Sequence, residues 1–199
     1  MPVKPTTLVL TMGAPGVGKT KATDRLLSLL KGNWSRVNKD TIADKYTPER
    51  ETPKYHKVRP RVYAEFYGEI AKKLKKGNVI IENPHIELSD PKALEGFALM
   101  CKYIGIKLKI ILFETTEEGL RKNLIRRGIE KKYKQKRDKW KLDNWESFKA
   151  KYVTPFQQDW LRKHPLVHFI RIPELQDYED RGAWVERHNW KPALKHIRS

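Results

Sequence analysis

The sequence is short of acid, of cysteine and of long apolar runs. Against 42 Lys and Arg stand only 24 Asp and Glu, a formal charge of +18. That excess is more than solubility requires. A field of this sign attracts polyanions and steers their encounter, so a polymeric anionic partner, DNA or RNA, is expected. The single cysteine, Cys101, excludes an internal disulfide and suits a reducing compartment. It lies in an apolar helical stretch, where a buried, inert thiol is expected. No run approaches transmembrane length, and the N-terminus has no signal-peptide apolar region. These absences lead to the expectation of a soluble, cytoplasmic protein without a membrane partner. No internal repeat or low-complexity linker divides the 199 residues. One domain over 1–199 is therefore expected, with a basic segment at about 121–141 and a C-terminal helical part at about 144–199.

What the sequence does have is a glycine-rich loop in a telling context. Gly13-Ala14-Pro15-Gly16-Val17-Gly18-Lys19-Thr20 matches G-x-x-x-x-G-K-[ST] at every fixed position. Leu8 to Met12 before it has strand character. Leu26, Leu27, Leu29 and Leu30 after it are spaced for a helix. Strand–loop–helix is the setting in which backbone N–H groups and a helix N-terminus cradle phosphates. Lys19 is then expected to reach the β- and γ-phosphates of ATP, and the Thr20 hydroxyl to hold one Mg²⁺ position.

Further along, Trp34 to Asn38 reads as a second strand and Thr41 to Tyr46 as a short helix. Thr47 to Pro60, with three prolines, reads as a surface excursion. Val62, Phe66, Ile70 and Leu74 mark a helix from about Arg61 to Lys76. Val79-Ile80-Ile81-Glu82 has the continuous apolar character of a buried parallel strand. Ser89 is a candidate cap for a helix over about 91–103, and Lys107 to Phe113 a further strand. Thr115 with Glu118 reads as a capping box for a helix through Arg127, closed by Gly128. Between Arg121 and Lys141 there are eleven Lys or Arg and two acids. Val167 to Ile172 reads as the last strand and Glu179 to Lys195 as a C-terminal helix. Alternating strands and helices predict an α/β fold, a mainly parallel sheet flanked by helices, with a basic helical lid. Ligands of such sheets gather at the C-terminal ends of the strands, where the loop, Asp40, Glu82-Asn83 and Glu114 all fall.

Transfer of a phosphoryl group to an alcohol needs a base, a metal at the β/γ oxygens and cations over the migrating group. Asp40 is the candidate base, with a helix N-cap as its alternative role. Glu82 is the candidate metal-side acid, or else a polar strand-end residue bonded to the loop. Asn83, His85, Arg59 and Arg61 are candidate acceptor contacts, His85 with a structural role as alternative. Arg121, Arg126 and Arg127 are candidate donor-phosphate arginines on a closing lid, Arg127 foremost. Trp145, Phe148, Tyr152, Phe156 and Trp160 follow the spacing of one helix face. Core packing suits them better than base stacking. Trp140 lies off that stripe among lysines.

Four pieces, in order, carry a resemblance: the loop after its strand, Val37-Asn38-Lys39-Asp40, Val79-Ile80-Ile81-Glu82-Asn83, and Arg126-Arg127-Gly128. Over roughly the first 130 residues the chain resembles bacteriophage-type polynucleotide 5′-hydroxyl kinases, within the P-loop kinases. The resemblance implies ATP and Mg²⁺ at Lys19 and Thr20, a general base at Asp40 and a lid arginine at Arg127. It also implies a phage-infected bacterial cell as the setting. Two positions depart from the family. Its acceptor-phosphate arginine falls on Ala43, and its aspartate after the third strand falls on Asn83. The leading expectation is an ATP-dependent kinase acting on a hydroxyl of DNA or RNA, by default the 5′ end. Alternatives are a kinase for a hydroxymethylated base (5-hydroxymethyluracil) within phage DNA, a small-molecule nucleoside or nucleotide kinase, and a nucleic-acid-binding NTPase.

Overall fold

The computed structural model describes residues 6–47, 52–82, 86–130, 132–173 and 178–199. β1 (Thr6–Met12) passes through the glycine loop into α1 (Lys19–Leu29), and β2 (Trp34–Asn38) passes directly into α2 (Lys39–Tyr46). α3 (Pro53–Leu74) precedes β3 (Asn78–Glu82), and α4 (Pro91–Tyr103) precedes β4 (Ile106–Glu114). α5 (Glu117–Glu130) and α6 (Lys132–Asp143) form the basic arm. α7 (Trp145–Tyr152) and α8 (Asp159–Lys163) lead to β5 (Val167–Arg171), followed by α9 (Tyr178–Arg187) and α10 (Lys191–Arg198).

The five strands form one parallel sheet in the order β2-β3-β1-β4-β5. β1 is central, so the loop that follows it opens in the middle of the rim. Glu82 is in register with Thr11 of β1 and with Asn38 of β2. The last residue of β3 therefore faces both the glycine loop and the start of α2.

Side chains alternate across a strand, and here both faces are covered. Leu8, Leu10, Met12, Val79, Ile81, Ile110 and Leu112 pack beneath α3 and α4 through Val62, Phe66, Ile70, Leu94 and Cys101. Val9, Ile80, Ile111 and Phe113 pack beneath α1, α9 and α10 through Leu26, Val185, Ala193 and Ile197. Phe66 is fully buried on the α3 stripe, and Phe66→Ala should cost roughly 3–5 kcal/mol. Cys101 is buried as expected, and burial pushes its thiol up to about 11. Among the described residues no helix is long and apolar enough to cross a membrane.

Several local expectations are corrected. Much of the Thr47–Pro60 stretch is helix: Thr52 caps α3 by accepting from Tyr55 N at 3.2 Å, and Pro53 takes the first turn, where its missing N–H costs nothing. Pro60 is accommodated inside that helix on its exposed side. Residues 48–51 lie outside the described residues. Asp90, not Ser89, caps α4 by accepting from Ala93 N. Thr116, not Thr115, meets the start of α5, its Oγ1 accepting from Gly119 N at 3.0 Å. Gly128 does not close α5, which runs on to Glu130. The C-terminal segment is two helices rather than one, separated around Asn189. The aromatic stripe after Asn144 is likewise broken, by a 3₁₀ turn at Thr154–Gln157 that contains Pro155. Trp145, Phe148 and Phe156 are nonetheless buried, in keeping with core packing.

Candidate active site

The glycine loop is held to the sheet at Gly13. Its φ is +131°, and a Cβ there would lie 2.2 Å from the Phe113 carbonyl oxygen of β4. No other residue fits both constraints. Gly18, at φ +105°, stands at the N-terminus of α1 in the left-handed region and turns the chain into the helix. Lys19 follows as the first helical residue. Its Nζ donates to the carbonyls of Gly13 and Ala14 at 2.7 and 2.9 Å, so the side chain curls back across its own loop.

Lys19 is buried, and burial lowers its pKa to about 8. The carboxylates of Asp40 and Glu82 push it up, and the Arg127 guanidinium pushes it down. Charges from α2, β3 and α5 are thus all felt at one ammonium. Of these, Asp40 and Glu82 are the residues that the strand ends predict for the rim, and they follow β2 and close β3 respectively, while Arg127 comes from α5.

Glu82 is 1% exposed at the end of β3. Its Oε2 accepts from the Thr20 hydroxyl at 3.1 Å and from Asn38 Nδ2 at 2.6 Å, and Arg36 Nη1 approaches Oε1 at 3.2 Å. Burial raises its pKa, while the Arg36 charge and the Thr20 bond oppose that rise. Arg36 also pairs with Asp24 of α1. The exposed Thr20 hydroxyl beside a carboxylate offers hard oxygen donors. Mg²⁺ characteristically takes one or two such protein ligands and leaves the rest to water and phosphate, so these two residues fit it.

Asn38 also caps α2. Its Oδ1 accepts from the backbone N–H of Asp40 at 2.8 Å and of Thr41 at 3.4 Å. The capping role considered for Asp40 therefore belongs to Asn38. Asp40 instead stands in the first turn of α2, half-buried.

On the basic arm, Arg127 reaches from α5 to α6. Its Nε and Nη2 donate to the two oxygens of Asp138 at 2.6 and 2.5 Å, and Lys141 Nζ donates to the same carboxylate at 2.7 Å. Arg126 Nη2 donates to Asn123 at 3.3 Å. Arg121 lies 4.2 Å from the Trp145 ring centroid and 3.6 Å from Glu117, whose carboxylate also takes the Trp145 indole N–H. Arg121 is thus engaged in packing α5 against α7. Arg59 and Arg61 are exposed on α3. Asn83 and His85 lie outside the described residues.

Sequence reasoning did not single out Asn38, Arg36 or Asp138 as site residues. Asn38 could have been found, because an Asn directly before a predicted helix is a capping signal. Asp138 could have been suspected as an acid isolated in a basic run. Arg36 gave no signal, since only strand register shows that it neighbours Glu82.

No curated protein matches the chain. Among solved structures, a chain of the Pnkp1/Rnl/Hen1 RNA repair complex aligns at 24% identity with a TM-score of 0.49. That alignment covers 62% of this chain and 38% of the other, so this chain spans well under half of that relative's length. A protein of Chloroflexus aurantiacus J-10-fl, provisionally named a kinase, aligns at 13% identity with a TM-score of 0.55, over 98% of this chain and 96% of the other. The PezAT toxin–antitoxin system of Streptococcus pneumoniae aligns at 13% identity with a TM-score of 0.46, over 98% and 83% of the two chains. The Chloroflexus likeness bears on fold alone, and it extends the same architecture over almost the whole chain. A family described as an AAA domain matches residues 8–155, from the first strand through the glycine loop, the rim and the basic arm. With that match running over well more than half of its length, the chain belongs to the AAA_33 family of P-loop kinase-like domains.

Proposed function

We propose that the protein is an ATP-dependent kinase that transfers the γ-phosphate to a hydroxyl of DNA or RNA, by default the 5′-hydroxyl end. The observation that carries this reading is the run of bonds from Thr20 to Glu82, from Glu82 to Asn38 and from Asn38 to the Asp40 N–H, which ties the glycine loop to the turn that holds Asp40. A nucleotide switch or a simple phosphate-binding loop has no need of a second carboxylate beyond Glu82, at the end of β2 two strands from the glycine loop. A transferase needs one there, to take the acceptor's proton.

In this reading Lys19 leaves the loop carbonyls for the β- and γ-phosphates. Asp40 accepts the proton of the acceptor hydroxyl. The oxygen forms its bond to the γ-phosphorus as the bond to the β-bridging oxygen breaks, and ADP departs with that electron pair. Arg127 and Lys19 offset the charge on the moving group. Mg²⁺, held between Thr20, Glu82 and the phosphates, would supply further charge neutralisation.

The +18 charge supports a polymeric acceptor. Ala43 favours a second reading. It is 1% exposed and packed in the core with Ile42, Val62 and Phe66, so no side chain at that position reaches an acceptor phosphate. A hydroxymethylated base inside DNA would not require one.

The experiment is an acceptor screen with γ-labelled ATP. It compares 5′-hydroxyl DNA and RNA, DNA containing 5-hydroxymethyluracil, and free nucleosides and nucleotides. Label on the 5′-hydroxyl polymers supports the first reading, and label on the modified DNA alone supports the second. Label on free nucleosides only, with acceptor KM indifferent to salt, overturns both.

A further inference from the structure

α3 carries its core stripe on one side, through Val62, Phe66 and Ile70. A different set occupies another side. Arg59, Tyr63 and Tyr67 recur every four residues, which aligns them along the helix. The Tyr63 and Tyr67 rings lie 6.1 Å apart with their planes inclined by 35°. Tyr67 is 50% exposed. The Arg59 guanidinium lies 5.5 Å from the Tyr63 ring centroid. From the other helix, Lys39 Nζ lies 5.1 Å from the same centroid and 3.4 Å from the Tyr63 hydroxyl.

The position of Lys39 gives this group its meaning. Lys39 is the residue before Asp40, so the aromatic strip starts beside the first turn of α2, the turn that carries the proposed general base, and runs along α3. Between Pro53 and Ala64 that helix carries Lys54, Lys57, Arg59 and Arg61 and no acid. All four of those cations are exposed. Tyr67 rests on Phe66 with ring centroids 5.4 Å apart yet stays half-exposed, and Tyr63 beside it carries one cation from each of two helices, a grouping that core packing does not call for. It does suit a ligand that alternates flat faces with negative charge.

We propose that Tyr63 and Tyr67, with Lys39 and Arg59, form a stacking platform for the acceptor strand, a single-stranded polynucleotide whose terminal hydroxyl lies at Asp40. Bases next to the terminal one stack on the exposed Tyr67 ring, and Tyr63 holds Lys39 and Arg59 in place for the backbone phosphates. Stacking on a ring needs bases already free of a partner strand, so the platform selects single strands over duplex ends. It also supplies acceptor-side contacts where Ala43 supplies none. This inference rests on the kinase reading above and deepens it by naming the acceptor's form.

The test measures binding of a fluorescein-labelled 5′-hydroxyl oligothymidylate by anisotropy, and then its KM as acceptor. Tyr67→Ala should weaken both by roughly ten- to a hundredfold, with the effect on KM rather than kcat, and Tyr67→Trp should restore binding. Arg59→Gln should weaken binding and reduce the slope of log K against log salt by about 0.7. Tyr103→Ala, at a 92% exposed ring on α4, is the control and should bind as the parent does. If the parent binds the oligonucleotide and Tyr67→Ala and Arg59→Gln bind equally well, the platform is wrong while the kinase reading stands. Tighter binding of a blunt duplex than of the single strand also overturns the platform. If the parent binds no oligonucleotide and labels only free nucleosides, the kinase-on-polymer reading fails, and the platform fails with it.

Discussion

The Thr20 hydroxyl donates to Glu82 Oε2 over 3.1 Å, tying the first turn of α1 to the last residue of β3. The bond places a carboxylate next to the oxygen expected to hold Mg²⁺, and Asn38 and Arg36 keep that carboxylate oriented. Glu82→Gln keeps the shape and removes the charge. It should raise the Mg²⁺ concentration that half-saturates nucleotide binding by roughly 10- to 100-fold. A Mg²⁺ titration of fluorescent ATP analogue binding reads this directly. An unchanged Mg²⁺ dependence would leave Glu82 with only its role of bonding Thr20 and Asn38.

Lys19 gives a pH signature. Burial lowers its pKa to about 8, so the free protein begins to lose this charge just above neutrality. Bound triphosphate favours the charged form, so its pKa is higher in the complex than in the free protein. Binding above pH 8 therefore takes up a proton. Nucleotide affinity should be flat below about pH 8 and then fall by about tenfold per pH unit until the pKa of the complex is reached. Isothermal titration in two buffers of different ionisation enthalpy would register the proton uptake. Affinity that rises with pH in that window would have the wrong sign.

Asp40 adjusts that same profile. Its charge raises the pKa of Lys19, so Asp40→Asn should move the break in the affinity profile to lower pH. At pH 7 the variant should still bind ATP, while its phosphoryl transfer falls by roughly 10²–10⁴-fold. Single-turnover transfer, measured beside equilibrium ATP binding, separates the two effects. Turnover equal to that of the parent would remove Asp40 from the base role.

These residues differ in how well the sequence announces them. The glycine loop is legible because its spacing is fixed by contact with phosphate, and the parallel sheet because β3 is apolar on both faces. The caps fall one residue later than the sequence suggests, at Thr116 and Asp90, because each follows another good capping residue, Thr115 and Ser89, and residue type does not choose between neighbours. α3 was misread at its start because Pro48, Pro53 and Pro60 suggested a loop, although proline is at home in a first helical turn. Contacts between distant segments, such as Arg36 with Glu82, depend on strand register. Composition and periodicity carry no information about that register for a single residue.

Asp138 is the clearest case of such a distant contact. It is 1% exposed and receives Arg127 on both oxygens and Lys141 on one. Burial alone would raise its pKa, but the Arg127 bonds and the charges of Arg127 and Lys141 outweigh that and hold it below the usual carboxylate range. A carboxyl depressed in the folded state adds stability that is fully present above its unfolded value, and this stability is lost as pH falls through the folded one. Asp138→Asn should therefore destabilise the protein at pH 7 and flatten the acid limb of its stability curve. Removing one partner of a buried pair typically costs 3–5 kcal/mol. The Arg127 side chain is 22% exposed, so the lower end, about 3 kcal/mol, is expected. That corresponds to a melting shift of roughly 6–12 °C. In the proposed mechanism the same carboxylate positions Arg127 for the donor phosphates, and so turnover measured well below the variant's melting temperature should also fall. A variant with reduced stability but parental turnover would show that Asp138 braces α5 against α6 without positioning Arg127.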